Sequence, residues 1–202
     1  MTSAHTETLR DRKRARTRAA IIEAGITLFE RDGYDATTVA DIAAAADIGT
    51  RTFFSYFAGK GELLFPESDA RVTTALNAID SRRPTDRPVD VLIQAITLGG
   101  ESNDEIFSRL AELRLRMIPT VPAVRARSLH MQVQAQAQIA DRLVDAFPEL
   151  TEVGAAALVG AFVGAVGAAL PIVLVDASAG PDVLRERLVD AVSAALRPAP
   201  AG

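Results

Sequence analysis

Cysteine is absent from the 202 residues, and histidine occurs only at His5 and His130. Without a thiol there is no disulfide framework, no thiolate metal site and no cysteine nucleophile, a composition that fits a reducing cytoplasm. Two histidines argue against a His-built metal site within one chain, so no metal or cofactor is expected. Lysine is scarce as well: of 22 basic residues only Lys13 and Lys60 are not arginine. Period-two alternation and internal repeats are both missing, which leaves no argument for a sheet. Asp and Glu are scattered over helical surfaces with no nucleophile and base brought together, so an enzyme is not expected.

What is present is an apolar, helix-patterned chain. Hydrophobic residues make up 49%, with mean hydropathy +0.15, which excludes a disordered polymer. The length suits one large domain, or a small one followed by a medium one. The net charge of −4 conceals a local excess. Residues 1–65 are neutral overall, but Arg10, Arg12, Lys13, Arg14, Arg16 and Arg18 crowd around the single acid Asp11. Attraction to phosphate is decided by such patches and not by the whole-chain charge, although a basic run can also be a merely solvated face.

The most informative stretch is Thr37–Lys60, TTVADIAAAADIGTRTFFSYFAGK. Thr38 followed by Asp41 is a capping box, and Val39, Ile42, Ala43 and Ala46 then recur at helical spacing. Ala46-Asp47-Ile48-Gly49 breaks the pattern, with Gly49 suited to cap a second short helix, Thr50 to about Phe57. Phe53 and Phe57 face inward together, four residues apart, leaving Thr50, Arg51, Phe54, Ser55 and Tyr56 outside. Two short helices joined by a tight turn, the second with polar, cationic and aromatic groups outward, describe a helix-turn-helix DNA reader.

The same residues, after a basic first helix, resemble the DNA-binding domain of the TetR family of bacterial repressors over roughly residues 10 to 65. Phe54 departs from the Tyr common there, and Gly49 from the common Ser. The resemblance implies an all-α protein of about nine helices: a flexible arm (1–8), a three-helix DNA-binding domain (9–59) and a helical ligand-binding and dimerisation domain (60–202). Its implied DNA contacts are Thr37, Thr38, Gly49, Thr50, Arg51, Thr52, Phe54, Ser55, Tyr56, Lys60 and Arg14. Among these, Arg51 is the residue type that pairs bidentately with guanine. Thr38, Tyr56 and Lys60 sit near helix ends, where phosphate oxygens can be met.

Elsewhere the expected helices run from about Leu9 to Arg31, closed by Gly33, and from Lys60 to about Ile79. Two more are expected from Val89 to Leu98, stopped by Gly99-Gly100, and from a Ser102/Glu105 capping box through Met117. The last three span about Val121 to Ala146, Thr151 onward, and from Gly180-Pro181 to the end. Met1 to Thr8 has no apolar core and is read as an arm, not a signal peptide.

Val153–Val175 contains no charged residue and is long enough to cross a bilayer, which takes about 20 residues. Eleven of these residues are Ala or Gly, Pro171 interrupts them, and no Lys/Arg cluster flanks them. A buried core or dimer helix is therefore expected, with no membrane span. Gly160-x-x-x-Gly164-x-x-Gly167 follows no strand and is not a phosphate loop. By resemblance the last two helices pair with those of a second copy, through Gly160, Ala161, Gly164 and Ala168 together with Leu184, Leu188 and Val192.

Candidate pocket residues are Phe107, Leu110, Leu113, Met117, His130, Met131, Gln134, Gln138 and Phe162, each with core packing as its alternative role. The segment TVPAVRARSLHMQ also resembles relatives with an acyl-coenzyme-A-like ligand domain, which would put Arg114, Arg116, Arg125 or Arg127 at an anionic head group. The functional expectation is a homodimeric, ligand-responsive repressor on a palindromic double-stranded operator, released by a small, mostly apolar or amphipathic ligand. The alternative is a helical-cavity enzyme or carrier with a vestigial DNA domain.

Overall fold

In the computed structural model α1 begins where a side chain can cap it. The Thr8 hydroxyl accepts the Asp11 N–H at 3.2 Å, and the Asp11 carboxylate accepts the Thr8 N–H at 3.1 Å. The structure describes residues 8–65, 68–102, 109–175 and 179–197, with the backbone course alone for 68–71 and 99–102. α1 spans Leu9–Asp32 and stops at Gly33, whose φ of 86° is a conformation that favours glycine. Thr38 and Asp41 form a second reciprocal box at the start of α2, Val39–Ala45. Asp47 then takes a left-handed φ of 53°, tolerated by Asp because its short polar side chain bonds locally. This residue makes the turn of the helix-turn-helix.

α3 is shorter than the sequence suggests. It covers Thr50–Phe54, capped by Gly49, and Ser55 closes it by donating its hydroxyl to the Thr52 carbonyl at 2.6 Å. Phe53 and Phe57 still face one another, with ring centroids 5.8 Å apart. The helix expected from Lys60 to Ile79 is instead two pieces, a 3-10 turn at Lys60–Leu64 and α4 at Ser68–Asp80. Pro66 separates them in sequence, and a proline both lacks an N–H and bars its predecessor from helical geometry; Phe65 accordingly sits at φ −135°, ψ 47°.

α5 spans Pro88–Ser102, running through the two glycines expected to end it. Glycine in a helix costs about 1 kcal/mol but breaks no hydrogen bond, and it ends a helix only where a left-handed residue is called for. The Ser102/Glu105 box cannot be followed, since Glu105 lies outside the described residues. α6 is described over Arg109–Met117, α7 over Pro122–Ala146, α8 over Glu152–Leu174 and α9 over Pro181–Ala195. Thr151 caps α8 as expected, its hydroxyl accepting the Gly154 N–H. Among the described residues there are thus nine α-helices and no strand.

Two hydrophobic cores organise these helices. The first gathers Ile21, Phe29, Ile42, Phe53 and Phe57 with Leu63, Leu64 and Phe65, and also Leu113 and Met117 of α6, Val121 just before α7 and Val124 within it. Gly25 permits the closest approach in it, for a Cβ there would overlap the Leu63 side chain. Burying each large apolar group is worth about 1.5–3 kcal/mol, against about 1 kcal/mol for a cap. Caps therefore set the helix boundaries and the shared core holds the helices together. This core reaches past residue 59, so α1 to α3 are completed by residues of the 3-10 turn, α6 and α7.

The second core joins α4, α5, α7, α8 and α9 through Ile79, Val91, Leu92, Leu143, Ala155, Val159, Leu188 and Val192. Arg82 ties the ends of α4 and α7, donating to the Ile79 and Ala146 carbonyls and lying over the Phe147 ring.

Candidate nucleic-acid interface and effector recess

The fold puts the outward face of α3 beside the basic start of α1. Thr50, Arg51, Thr52, Phe54 and Ser55 are exposed, Phe54 to 57%, while Phe53 between them is fully buried. Arg10, Arg12, Lys13, Arg14 and Arg16 are exposed on α1. The Arg14 guanidinium lies 5.4 Å from the centre of the Tyr56 ring, and that of Arg18 lies 5.1 Å from Phe57. These cation–π contacts are worth roughly 0.5–1 kcal/mol each at exposed sites. They join the basic run of α1 to the segment that directly follows α3. Arg51 has no hydrogen-bond or ion-pair partner among the described residues, and its fork is available.

Other expected DNA contacts are already engaged within the chain. Thr37 is buried and donates its hydroxyl to the Gly33 carbonyl at 2.8 Å. Thr38 donates to Asp41 at 2.6 Å. That bond, and next the one from the Thr38 N–H, hold the Asp41 carboxyl below its ordinary range. Asp11 is lowered in the same way by Thr8. Both cap only as carboxylates, and both place a negative charge at a helix start. Lys60 does not project outward: its ammonium donates to the Tyr34 and Thr37 carbonyls at 2.7 and 2.8 Å and lies 4.4 Å from the Tyr34 ring centre. It braces the α1–α2 loop, which a helix-start position in sequence does not reveal.

The expected pocket residues separate into three groups. His130, Met131, Gln134 and Gln138 do come together, and with Val72, Arg127 and Ala135 they line an open recess of about 210 Å³ between α4 and α7. Leu113 and Met117 are instead buried in the first core, Leu110 packs on that core, and Phe162 is buried in the second. Phe107 lies outside the described residues. The recess is more polar than the apolar cavity expected, because α7 turns its glutamines toward α4 and the larger apolar groups are spent in the two cores.

Of the four arginines considered for an anionic head group, only Arg127 reaches the recess. Arg125 donates to the Ile118 and Pro119 carbonyls. Arg114 lies over Phe65, and Arg116 pairs with Glu30. The sequence reading also missed Arg109, which bridges Glu23 and Glu30 on one face of α1. Its bond to Glu30 is the leading cause of that carboxyl's lowered pKa. Partners some 80 residues apart leave no local signal.

α8 is apolar all round yet largely uncovered. Ala155, Val159, Phe162 and Leu170 face the core, whereas Val153 is 80% and Ile172 75% exposed. Ala161, Gly164 and Ala168 are exposed and Gly160 is half-buried. A Cβ added at Gly160, Gly164 or Gly167 would meet nothing within 4 Å. Leu184, Leu188 and Val192, expected on the same outer face, are buried against their own chain. α9 packs this stripe on α8 and α5, leaving Val183 as its exposed large apolar residue.

Residues 21–65 match the family model for bacterial regulatory proteins of the tetR family. The chain is 30% identical over 137 residues to the HTH-type transcriptional regulator TcmR of Streptomyces glaucescens, covering 65% of this chain and 61% of that protein. The matched stretch thus spans about three fifths of the length of the curated relatives. Among solved structures, FadR of Thermus thermophilus, a TetR-family transcriptional repressor solved with lauroyl-CoA, superposes with a TM-score of 0.57 at 21% identity, over 92% of this chain and 98% of that one. A transcriptional regulator of Aquifex aeolicus VF5, of the TerR/AcrR family, reaches 0.59 at 17% identity, over 88% and 98%.

Proposed function

From the chain's membership of the TetR family of bacterial regulatory proteins, we propose that it is a ligand-responsive repressor that binds a palindromic operator as a homodimer in the cytoplasm. The observation that carries this reading is the juxtaposition of the exposed face of α3, with Arg51 free, and the cationic start of α1. Arg51 is the candidate for a guanine edge, while Arg14, Tyr56 and the other α1 arginines serve the phosphates. Two such heads, held about 34–36 Å apart, enter successive major grooves. A ligand in the α4–α7 recess that binds better to a different spacing shifts the population and releases DNA.

The uncovered face of α8 supports the dimer. The helix is also long and apolar enough to cross a membrane, but its inner residues pack into a core shared with four other helices, and the middle of its outer face carries the small residues Ala161, Gly164 and Ala168. A second copy of α8 fits that outer face, because small residues let two helix backbones approach closely. A helical-cavity enzyme or carrier draws no support from the relatives, which are transcriptional regulators.

The test is fluorescence anisotropy on DNA from the promoter of the chain's own gene, with light scattering on the same sample. A dimer that prefers a palindrome over random DNA, with affinity falling steeply as salt rises, supports the reading. Equal, weak affinity for all sequences, or a monomer, overturns it.

A further inference from the structure

Among the described residues one guanidinium, that of Arg127, lines the recess between α4 and α7, and it is only loosely held. Arg127 Nη2 stands 3.5 Å from Glu62 Oε1, well beyond the 2.7–2.9 Å of a good charge-assisted bond. The other Glu62 oxygen accepts the Ala58 N–H at 2.8 Å. Ala58 belongs to the segment that joins the end of α3 to the 3-10 turn. Glu62 therefore links the reading head to α7 through two bonds of unequal quality.

Among the described residues none that lines the recess is acidic. Arg127, His130, Gln134 and Gln138 offer polar groups along successive turns of α7, and Val72, Met131 and Ala135 supply an apolar wall. The volume, about 210 Å³, falls below the roughly 300–1,000 Å³ of pockets for drug-sized ligands.

We propose that this recess binds an organic carboxylate with a compact apolar body, and that the bound carboxylate takes Arg127 away from Glu62. The inference rests on reading the recess as the effector site. Arginine's planar fork pairs bidentately with a carboxylate, and a bidentate pair displaces one long contact. Glu62 then keeps only the Ala58 N–H, and the segment following α3 loses its tie to α7. A small molecule thereby acts on the reading head through a named exchange of partners.

The probe is benzoate, with benzamide as its neutral isostere and inorganic phosphate as an anion without an apolar body, each titrated calorimetrically into the full chain. Benzoate is expected to bind at millimolar concentration, and the other two at least about tenfold more weakly. Arg127→Gln should weaken benzoate by about tenfold or more, the scale of a charge-assisted pair. Glu62→Gln should tighten it, because the competitor's charge is gone; a merely structural role for the pair has no reason to give that sign. By NMR the Ala58 amide should exchange faster when benzoate is added, and in Arg127→Gln it should exchange fast with or without benzoate. The proposal is overturned if benzoate does not bind, if benzamide matches it, if Arg127→Gln leaves it unchanged, or if Glu62→Gln weakens it. Operator anisotropy runs in parallel. Lost DNA binding with the benzoate pattern intact defeats the repressor reading alone, and the reverse outcome defeats the carboxylate site alone.

Discussion

Ile42 and Phe53 in the reading head and Val153 and Ile172 on α8 are all apolar residues of helices, but they meet opposite fates. The first two are fully buried within the chain, and the last two are mostly exposed. In α2 and α3 one inward face carries Ile42 or Phe53, the other side being polar or small apart from Phe54, and each helix is finished when that face is covered. α8 has no polar side. One chain can cover only part of its circumference, and the remainder is a surface too apolar to be left to water without a partner. A sided helix completes itself inside the chain, whereas an unsided one points to a second body.

The largest expected effect breaks the comparison at α8. Gly164→Arg meets open space within one chain, so the fold should survive by circular dichroism. In a dimer the same arginine is an unpaired buried charge, costing about 3–5 kcal/mol. Light scattering should report a monomer and operator binding should be lost; a variant that remains dimeric and binds normally removes α8 from the interface. Phe53→Ala attacks the other region. It should cost about 3–5 kcal/mol in urea unfolding and abolish DNA binding while leaving the dimer intact. Were the dimer to dissociate as well, the first core would be shown to support the α8 surface too.

Arg51→Ala has no packing to lose. Its effect should be confined to DNA: about 1–3 kcal/mol on the operator, with relaxed preference at one base position. Equal weakening on random DNA would make Arg51 a phosphate contact. Lys60→Met should lower the thermal midpoint by loosening the Tyr34–Thr37 loop, with the slope of log affinity against log salt unchanged. A slope flattened by about one unit would restore Lys60 to the phosphate contacts.

The smallest effect is electrostatic. Asp41 has a lowered pKa in the folded chain, so its capping contribution is present above the unfolded carboxylate range and is lost as pH falls through the folded value. Asp41→Asn should be less stable than wild type near neutrality, and the two should converge at acid pH. Parallel stability curves would show that the carboxylate's charge contributes nothing.

Legibility followed the range of the interactions. Caps at Thr38 and Thr151, the inward pair Phe53 and Phe57, and the exposed Arg51 are readable because their partners lie within a turn or two of helix; the equally local Thr8 box, with Asp11 three residues on, lies in the stretch read as an arm. The 3-10 turn before Pro66 was within reach of the same reasoning, since proline's effect on its neighbour is local. The bracing bonds of Lys60 leave no local signal, because its acceptors lie more than 20 residues upstream. Leu188 and Val192 were assigned outward because an apolar stripe reveals that a face is covered and not by what.

By itself the sequence determined that the chain is helical, where its capped helices α2 and α8 begin, that α2 and α3 make a helix-turn-helix, and that Val153–Val175 is apolar on every side. These follow from period, caps and composition, which act over a few residues. Only the tertiary structure decided that the reading head shares its core with α6 and α7, that α9 faces inward, and that Arg127 alone among four arginines enters the recess beside Glu62. Those outcomes depend on which surfaces meet across 50 or more residues of chain, and close packing, with one volume to fill and no spare space, selects among partners that periodicity leaves equivalent.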